Sequence, residues 1–390
     1  MGSRVRIAMV AGEASGDQLG AHLILALKKH LPEAEFFGIG GPKMQAAGFK
    51  ALYPCEKLAV RGYLEVLKHL REILGIRNDL AKTLLADPPD VFVGIDAPDF
   101  NLSLERRLKA RGIPTIHYVS PSIWAWRGER IKHIGRSVSR MLTLFPFEAP
   151  LYEQAGIAVS YVGHPLADAF PIEIDMKAAR ERLNLPHEQR IFALLPGSRQ
   201  SELEYLGELF VDTAKHLVAR FPDCRLLVPL TTRETRDLFA QALYKHGGEE
   251  LPLTMLFGHA HDAMAAADAV LVASGTATLE AALLKRPMLI TYRLSKLTAR
   301  LVKRRLTLPY VGLPNVLAGR FVVPELLQED ATADNLAQAL GNLVEDKITC
   351  QRLENLFTDL HIQLRQNTAE KAAAAILPYV ARGAAWKQAA

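Results

Sequence analysis

Residues 190–210 read RIFALLPGSRQSELEYLGELF, and the order of the three parts inside this stretch decides the fold class. Ile191 to Leu195 form an unbroken apolar run, the length of a strand covered on both faces. Pro196 and Gly197 end it, and after Ser198 and Arg199 a helical pattern runs over 200–220. The chain opens in the same way, with an apolar run at 4–11, the glycine-spaced turn GEASGDQLG at 12–20 and a helix over 17–30. A strand that feeds a helix through a glycine turn is the unit of parallel sheets flanked by helices.

Outward from these two stretches the rhythm repeats. Apolar runs at 35–39, 91–95, 114–119, 139–144 and 159–162 read as further strands of the first half, separated by helices that include 62–86, 99–111 and 147–155. The second half continues with strands near 225–230, 253–256, 269–273 and 287–291 and helices at 232–247, 259–267 and 276–285. The pattern breaks at Gly163-His164-Pro165 and Pro171-Ile172-Glu173, and after Pro324 it is helical, at 332–346, 350–366 and 368–381. The expected architecture is α/β, with two facing Rossmann-like domains over 1–165 and 166–330. Helices over 331–390 are expected to pack back on the first domain or on a partner subunit.

Composition narrows the function by exclusion. The 390 residues are 49% apolar and 23% charged, ordinary globular values that exclude a disordered or collagen-like chain. Lys and Arg number 47 against 42 Asp and Glu, a net charge of +5 that leans towards anionic partners without the character of a nucleic-acid coating protein. Cys55, Cys224 and Cys350 fit neither a zinc pattern nor a disulfide framework, so the cytoplasm is the expected compartment. No run of 18 apolar residues occurs, and any membrane contact is expected to be peripheral. There is no D-x-D, and His259 and His261 lack the i, i+4 spacing of a helical zinc site, so no metal or other cofactor is expected. A G-x-S-x-G hydrolase elbow is also missing.

Site candidates gather where strands end. Gly12, Gly16 and Gly20 form neither G-x-G-x-x-G nor a P-loop, which disfavours an NAD or Walker-type site, but Glu13, Ser15 and Asp17 put polar groups beside the turn. Ser15 or Asp17 also fits a helix N-cap. Gly197, Ser198 and Arg199 suit a diphosphate, through close backbone approach, helix N–H groups and a guanidinium fork; the plainer alternative pairs Arg199 with Glu202 or Glu204 on the helix surface. Ser274, Gly275, Thr276 and Thr278 form a second such turn, and Glu280 can accept both hydroxyls of a ribose or simply favour the helix dipole. In VFVGIDAPDFN, Asp96 stands just past a strand where it can take a proton from a hydroxyl nucleophile, while Asp99 fits a cap of the next helix.

Two segments suit a membrane surface. GYLEVLKHLREILGI at 62–76 aligns Tyr63, Val66, Leu67, Leu70, Ile73 and Leu74 on one helical stripe, which can equally face a core. Between Glu280 and Glu325 there are nine basic residues and no acidic one, and RLSKLTARLVKRRL, with Arg300 and Arg304, reads as a basic amphipathic helix. No aromatic stacking series or nucleic-acid motif accompanies this charge, so no nucleic acid is expected.

Six motifs in order, GEASGDQLG, GIDAPDFN, HYVSPSIWAW, LLPGSR, SGTATLEA and GLPNVLAGR, closely resemble the lipid-A-disaccharide synthase family, glycosyltransferases of GT-B type. The resemblance runs from about Val5 into the C-terminal helices. It implies inverting, metal-free transfer of 2,3-diacylglucosamine from UDP to 2,3-diacylglucosamine 1-phosphate, giving a β(1→6) disaccharide and UDP at the inner-membrane surface. The first domain would then take the acceptor and the second the UDP-sugar. It further implies Asp96 as the best base, with Asp99 and Glu13 as alternatives, Asn315 beside the nucleotide, Trp124 and Trp126 at or beneath the acceptor pocket, and a homodimer with exchanged C-terminal segments. Two rivals remain: another GT-B enzyme on UDP-amino sugars, such as a peptidoglycan glucosaminyltransferase or a UDP-sugar epimerase, and a noncatalytic protein on acidic lipids.

Overall fold

In the computed structural model, which describes residues 4–58, 63–124, 128–295, 298–300 and 308–389, the apolar runs assemble into two parallel sheets. The first contains β1 (Arg6–Ala11), β2 (Glu35–Gly40), β3 (Phe49–Pro54), β4 (Val91–Ile95), β5 (Thr115–Tyr118), β6 (Arg140–Thr143) and β7 (Val159–Tyr161), in the order β3-β2-β1-β4-β5-β6-β7. The second contains β8 (Ile191–Leu195), β9 (Arg225–Leu230), β10 (Leu253–Phe257), β11 (Ala269–Ala273), β12 (Met288–Tyr292) and β13 (Glu325–Leu327), in the order β10-β9-β8-β11-β12-β13. Every adjacent pair is parallel. Strands β4, β8 and β11 are buried at every position, as strands with helices on both faces must be.

This order has a consequence for the chemistry. In each sheet the strand order reverses once, between β1 and β4 and between β8 and β11. Connections on either side of such a point depart in opposite directions, leaving a gap beyond the carboxyl ends of the two strands where ligands are received. The glycine turns follow β1 and β8, and the Asp96 and Ser274 turns follow β4 and β11.

Two compact units result, Met1–Asp168 with Leu364–Ala390, and Ala169–Gln363. The helical region expected as one layer over 331–390 is therefore divided. Helices Ala333–Glu345 and Lys347–Leu364 bury Leu336, Leu340, Leu353 and Phe357 in the cores of the second unit. Only the last helix, Thr368–Ala389, joins the first, where Ala372, Ala373, Ile376 and Val380 pack with Leu23, Ile24 and Leu27 of helix Ala14–His30. Burying each of the larger of these side chains is worth about 1.5–3 kcal/mol. An apolar stripe shows that a helix packs, not which sheet it covers.

The return is pinned by backbone bonds. Asp168 accepts the N–H groups of Asn367 at 2.9 Å and Thr368 at 2.6 Å, and the His164 N–H donates to the Leu364 carbonyl at 2.9 Å. Gly163, at φ +89°, leaves the space this crossing needs, since a Cβ there would lie 2.7 Å from that same carbonyl. Strands β3 and β13, and short helices such as Pro42–Ala46 and Leu313–Ala318, add to the expected elements. The last of these occupies GLPNVLAGR, which the sequence alone presents as a loop.

Candidate active site

At the first switch point Asp96 stands directly after β4. Asp96 and Ala97 both adopt left-handed backbone, φ +51° and +43°, immediately before helix Pro98–Lys109. For residues with a Cβ this costs roughly 1–2 kcal/mol each, so the turn is held rather than relaxed. The Asp96 N–H donates to the Tyr118 carbonyl at 2.8 Å, and the Phe100 and Asn101 N–H groups both reach the Ala97 carbonyl at 3.0 Å. The Asp96 carboxylate is half-buried and has no hydrogen bond or ion pair among the described residues.

The neighbouring acids differ. Asp99 is the second residue of the helix, its side chain 86% exposed and paired with Arg130 Nη2 at 2.5 Å, so it does not serve as the cap that its place after Pro98 suggests. Glu13 stands at the N-cap of helix Ala14–His30, exposed and without a capping bond, and Ser15 is exposed in the first turn. Gly12 lies against the Asp96 turn, where a Cβ would be 2.9 Å from Ala97 Cβ.

Asp17 is neither an N-cap of its own helix nor free for an acceptor. It is buried, and its carboxylate takes the N–H groups of Gly41, Lys43 and Met44 at 2.9, 3.0 and 3.0 Å, fastening the β2 turn to the helix. Trp124 is tied down too: Nε1 donates to Glu148 Oε1 at 3.2 Å, and the ring stands edge-on to Phe147 with centroids 5.2 Å apart. Glu148 also accepts the Phe145 N–H at 3.0 Å, and burial pushes its carboxyl up to about 7. Trp126 lies outside the described residues.

At the second switch point the two turns are unequal. After β8, Glu202 reaches back from the first turn of helix Gln200–Arg220 to accept the N–H groups of Ser198 at 2.8 Å and Arg199 at 3.1 Å. Gly197, at φ +124°, permits this, because a Cβ would stand 2.4 Å from Glu202 Oε2. Backbone donors expected for a diphosphate are thus already satisfied by an acid three residues beyond Arg199, the spacing of a capping box. The Arg199 guanidinium is 69% exposed and only 3.7 Å from Glu202 Oε1, a loose pair of little energetic weight. After β11 the turn is open: Gly275, at φ +144°, and Thr276 are exposed at the start of helix Thr276–Leu283, with nothing near the space a Gly275 Cβ would take.

Two residues expected at the nucleotide prove to be occupied by the fold. Thr278 is buried, donating to the Gly275 carbonyl at 2.8 Å and accepting the Leu313 N–H at 3.2 Å. Asn315 is completely buried; its amide donates to the Val323 carbonyl and Glu325 Oε1, and its oxygen accepts the N–H groups of Val322 and Val323. All four positions are used, so its side chain pins the 312–325 segment and has no donor left for a ligand. Ser274 remains half-buried with a long bond to the Val311 carbonyl at 3.4 Å. Glu280 Oε2 lies 3.5 Å from His261 Nε2, and that carboxylate raises the imidazole above its ordinary value.

The surface segments resolve in part. Leu70 is exposed, whereas Ile73 of the stripe, with Ile76 beside it, packs against the core that holds Phe92 of β4. The side chains of Val66 and Leu67, and Arg304, lie outside the described residues. Arg300 is exposed. Lys285 and Arg286, two of the nine basic residues, are buried, Lys285 against His361 and the Leu283 carbonyl, Arg286 against the Leu284 carbonyl. Among the described residues no three His, Cys, Asp or Glu side chains converge as a metal site, and no helix is long and apolar enough to cross a membrane.

Two Rossmann-like units of this topology, each with polar turns at its switch point, define the GT-B class of glycosyltransferase fold. Solved structures agree at the level of fold: S. aureus MnaA with UDP superposes with a TM-score of 0.64 at 14% identity, covering 97% of each chain. The calicheamicin glycosyltransferase CalG4 gives 0.61 at 15% identity, covering 97% of this chain and 99% of its own. Sequence goes further. Residues 7–377 match the lipid-A-disaccharide synthetase family, and the lipid-A-disaccharide synthase of Azoarcus sp. (strain BH72) is 64% identical over 97% of both chains. That of Dechloromonas aromatica (strain RCB) is 61% identical over 97% of this chain and 99% of its own. The chain belongs to the lipid-A-disaccharide synthase family, glycosyltransferases of lipid A biosynthesis.

Proposed function

We propose that the protein joins UDP-2,3-diacylglucosamine to 2,3-diacylglucosamine 1-phosphate with inversion, forming the β(1→6) disaccharide 1-phosphate and UDP. The unpartnered Asp96 carboxylate on its left-handed turn is the observation that carries this reading. As the acceptor 6-hydroxyl oxygen attacks the anomeric carbon, Asp96 takes the hydroxyl proton, and the bond from that carbon to the diphosphate oxygen breaks. Asp99 is held by Arg130, and Glu13 is the remaining alternative base. The open turn at 274–276 offers its helix terminus to the leaving diphosphate, and Arg199, held by only a loose pair, swings onto its developing charge. Glu280, already within 3.5 Å of His261, takes the ribose hydroxyls. Trp124, tied to Glu148, supports the wall of the acceptor site.

Acylated substrates favour work at the cytoplasmic face of the inner membrane, with the exposed Leu70 and Arg300 on the lipid side. A product assay with acylated and unacylated UDP-glucosamine tests the whole reading, and a tetraacyl disaccharide is expected from the acylated donor alone. Asp96→Asn should lower turnover about 100-fold or more while leaving UDP binding and the melt near wild type. Wild-type turnover in that variant would move the base to Glu13.

A further inference from the structure

Beneath the Asp96 turn lies a polar row that the reaction above does not use. Asn101 and Glu105 stand one turn apart on helix Pro98–Lys109, both completely buried. They fit because position 94 is glycine: a Cβ there would lie 2.2 Å from Glu105 Oε1 and 3.0 Å from Asn101 Cβ and Cγ. Asn101 Nδ2 donates to the Asp96 carbonyl at 2.8 Å, and the carbonyls of Ile95 and Val10 lie 3.4 Å away. Glu105 Oε1 in turn lies 2.8 Å from His117 Nδ1 on β5, with both side chains fully buried. Three atoms of the row, Asn101 Oδ1, Glu105 Oε2 and His117 Nε2, are buried without a partner among the described residues. Polar groups buried with unmet bonding capacity weaken a fold, so stability does not account for them.

We propose that Asn101 is a positioning residue for Asp96. Its amide locks the carbonyl of the left-handed turn and so fixes the direction of the Asp96 carboxylate. The inference rests on the reading of Asp96 as the base. Without the donor the turn relaxes towards right-handed backbone and the carboxylate swings away from the acceptor hydroxyl; a shift of about 1 Å in such a group lowers rates on the order of 100-fold.

The test uses the full-length chain, well below each variant's melt, with the acylated donor and acceptor. Asn101→Ala should lose about 10-fold or more in kcat while both KM values and UDP affinity stay within about two-fold. On an Asp96→Asn background the same substitution should cost nothing further, because the two residues act as one unit. In Asn101→Asp the carboxyl faces three carbonyl oxygens: ionised it repels them, protonated it regains an O–H donor, so its kcat relative to wild type should rise about five-fold between about pH 8.5 and pH 6.

Wild-type kcat in folded Asn101→Ala, with Asp96→Asn inactive, overturns the positioning role alone. So does an undiminished loss on the Asp96→Asn background. Wild-type turnover in Asp96→Asn removes the base reading and this inference with it. Should Asn101→Ala fail to fold, the pH ratio of Asn101→Asp decides, and a flat ratio refutes the proposal.

Discussion

Asp17→Asn separates scaffold from chemistry in the first glycine turn. The wild-type carboxylate, 3% exposed, accepts Gly41 and Met44 N–H groups on Oδ1 and the Lys43 N–H on Oδ2. An amide can keep both bonds on its oxygen, but its nitrogen then faces the Lys43 N–H, and two donors meet. Turning the amide over strands the other pair instead. A charge-assisted bond is worth about 1.5–3 kcal/mol, and stranding a buried donor costs about 1–3 kcal/mol; because both terms describe the same contact, a loss of about 2–4 kcal/mol is expected. At about 2–4 °C per kcal/mol for a unit of this size, the melt should fall by about 5–15 °C. Calorimetry gives the melt, and initial rates measured about 10 °C below it give kcat. Turnover within about two-fold of wild type is expected, since this carboxylate is buried and already holds three backbone N–H groups. An unchanged melt with kcat reduced by about 10-fold or more would exclude the scaffold role and return Asp17 to the chemistry.

Arg199→Ala should lower turnover while leaving stability nearly unchanged, because its pair with Glu202 is loose and exposed; Arg199→Lys should stay clearly impaired for want of the planar fork, and wild-type kinetics in both would leave only the surface pair. Activity should persist in EDTA, given the lack of a D-x-D pair, and a loss on chelation that Mg²⁺ restores would oppose this. Burial raises Glu148 from 4.5 to about 7, so the folded chain holds this proton longer than the unfolded one. The stability that follows is complete below about pH 4.5 and is lost as pH climbs through about 7, by about 3 kcal/mol. Urea titrations should therefore show Glu148→Gln gaining on wild type across that window, and a difference independent of pH would count against the raised value.

The sequence makes the sheets legible because a strand covered on both faces has to be continuously apolar, as in AVLVA at 269–273. Edge strands carry no such demand. β3, FKALYP, is mostly exposed and β13 spans three residues, so neither leaves a periodic trace. The Leu313–Ala318 helix is hidden for another reason, since Gly312 and Pro314 announce a turn whether or not one helical turn follows.

Site residues divide along a different line. Their places at strand ends can be read from local spacing, but their availability cannot, because it depends on groups distant in the chain. Asp17 is taken by 41–44, Thr278 by the Leu313 N–H, and Asn315 by 322–325. Each has the chemistry of a ligand contact and a backbone partner that local spacing does not reveal. Glu202 is the exception, since an acid three residues past the N-cap is itself a local signal of a capping box. What distinguishes Asp96 is the converse: its backbone N–H and carbonyl are both bound, while among the described residues its carboxylate is bound by none. A carboxylate held at a strained turn and left without a partner has its bonding capacity directed outward, and at a strand switch point that is where a substrate hydroxyl would meet it.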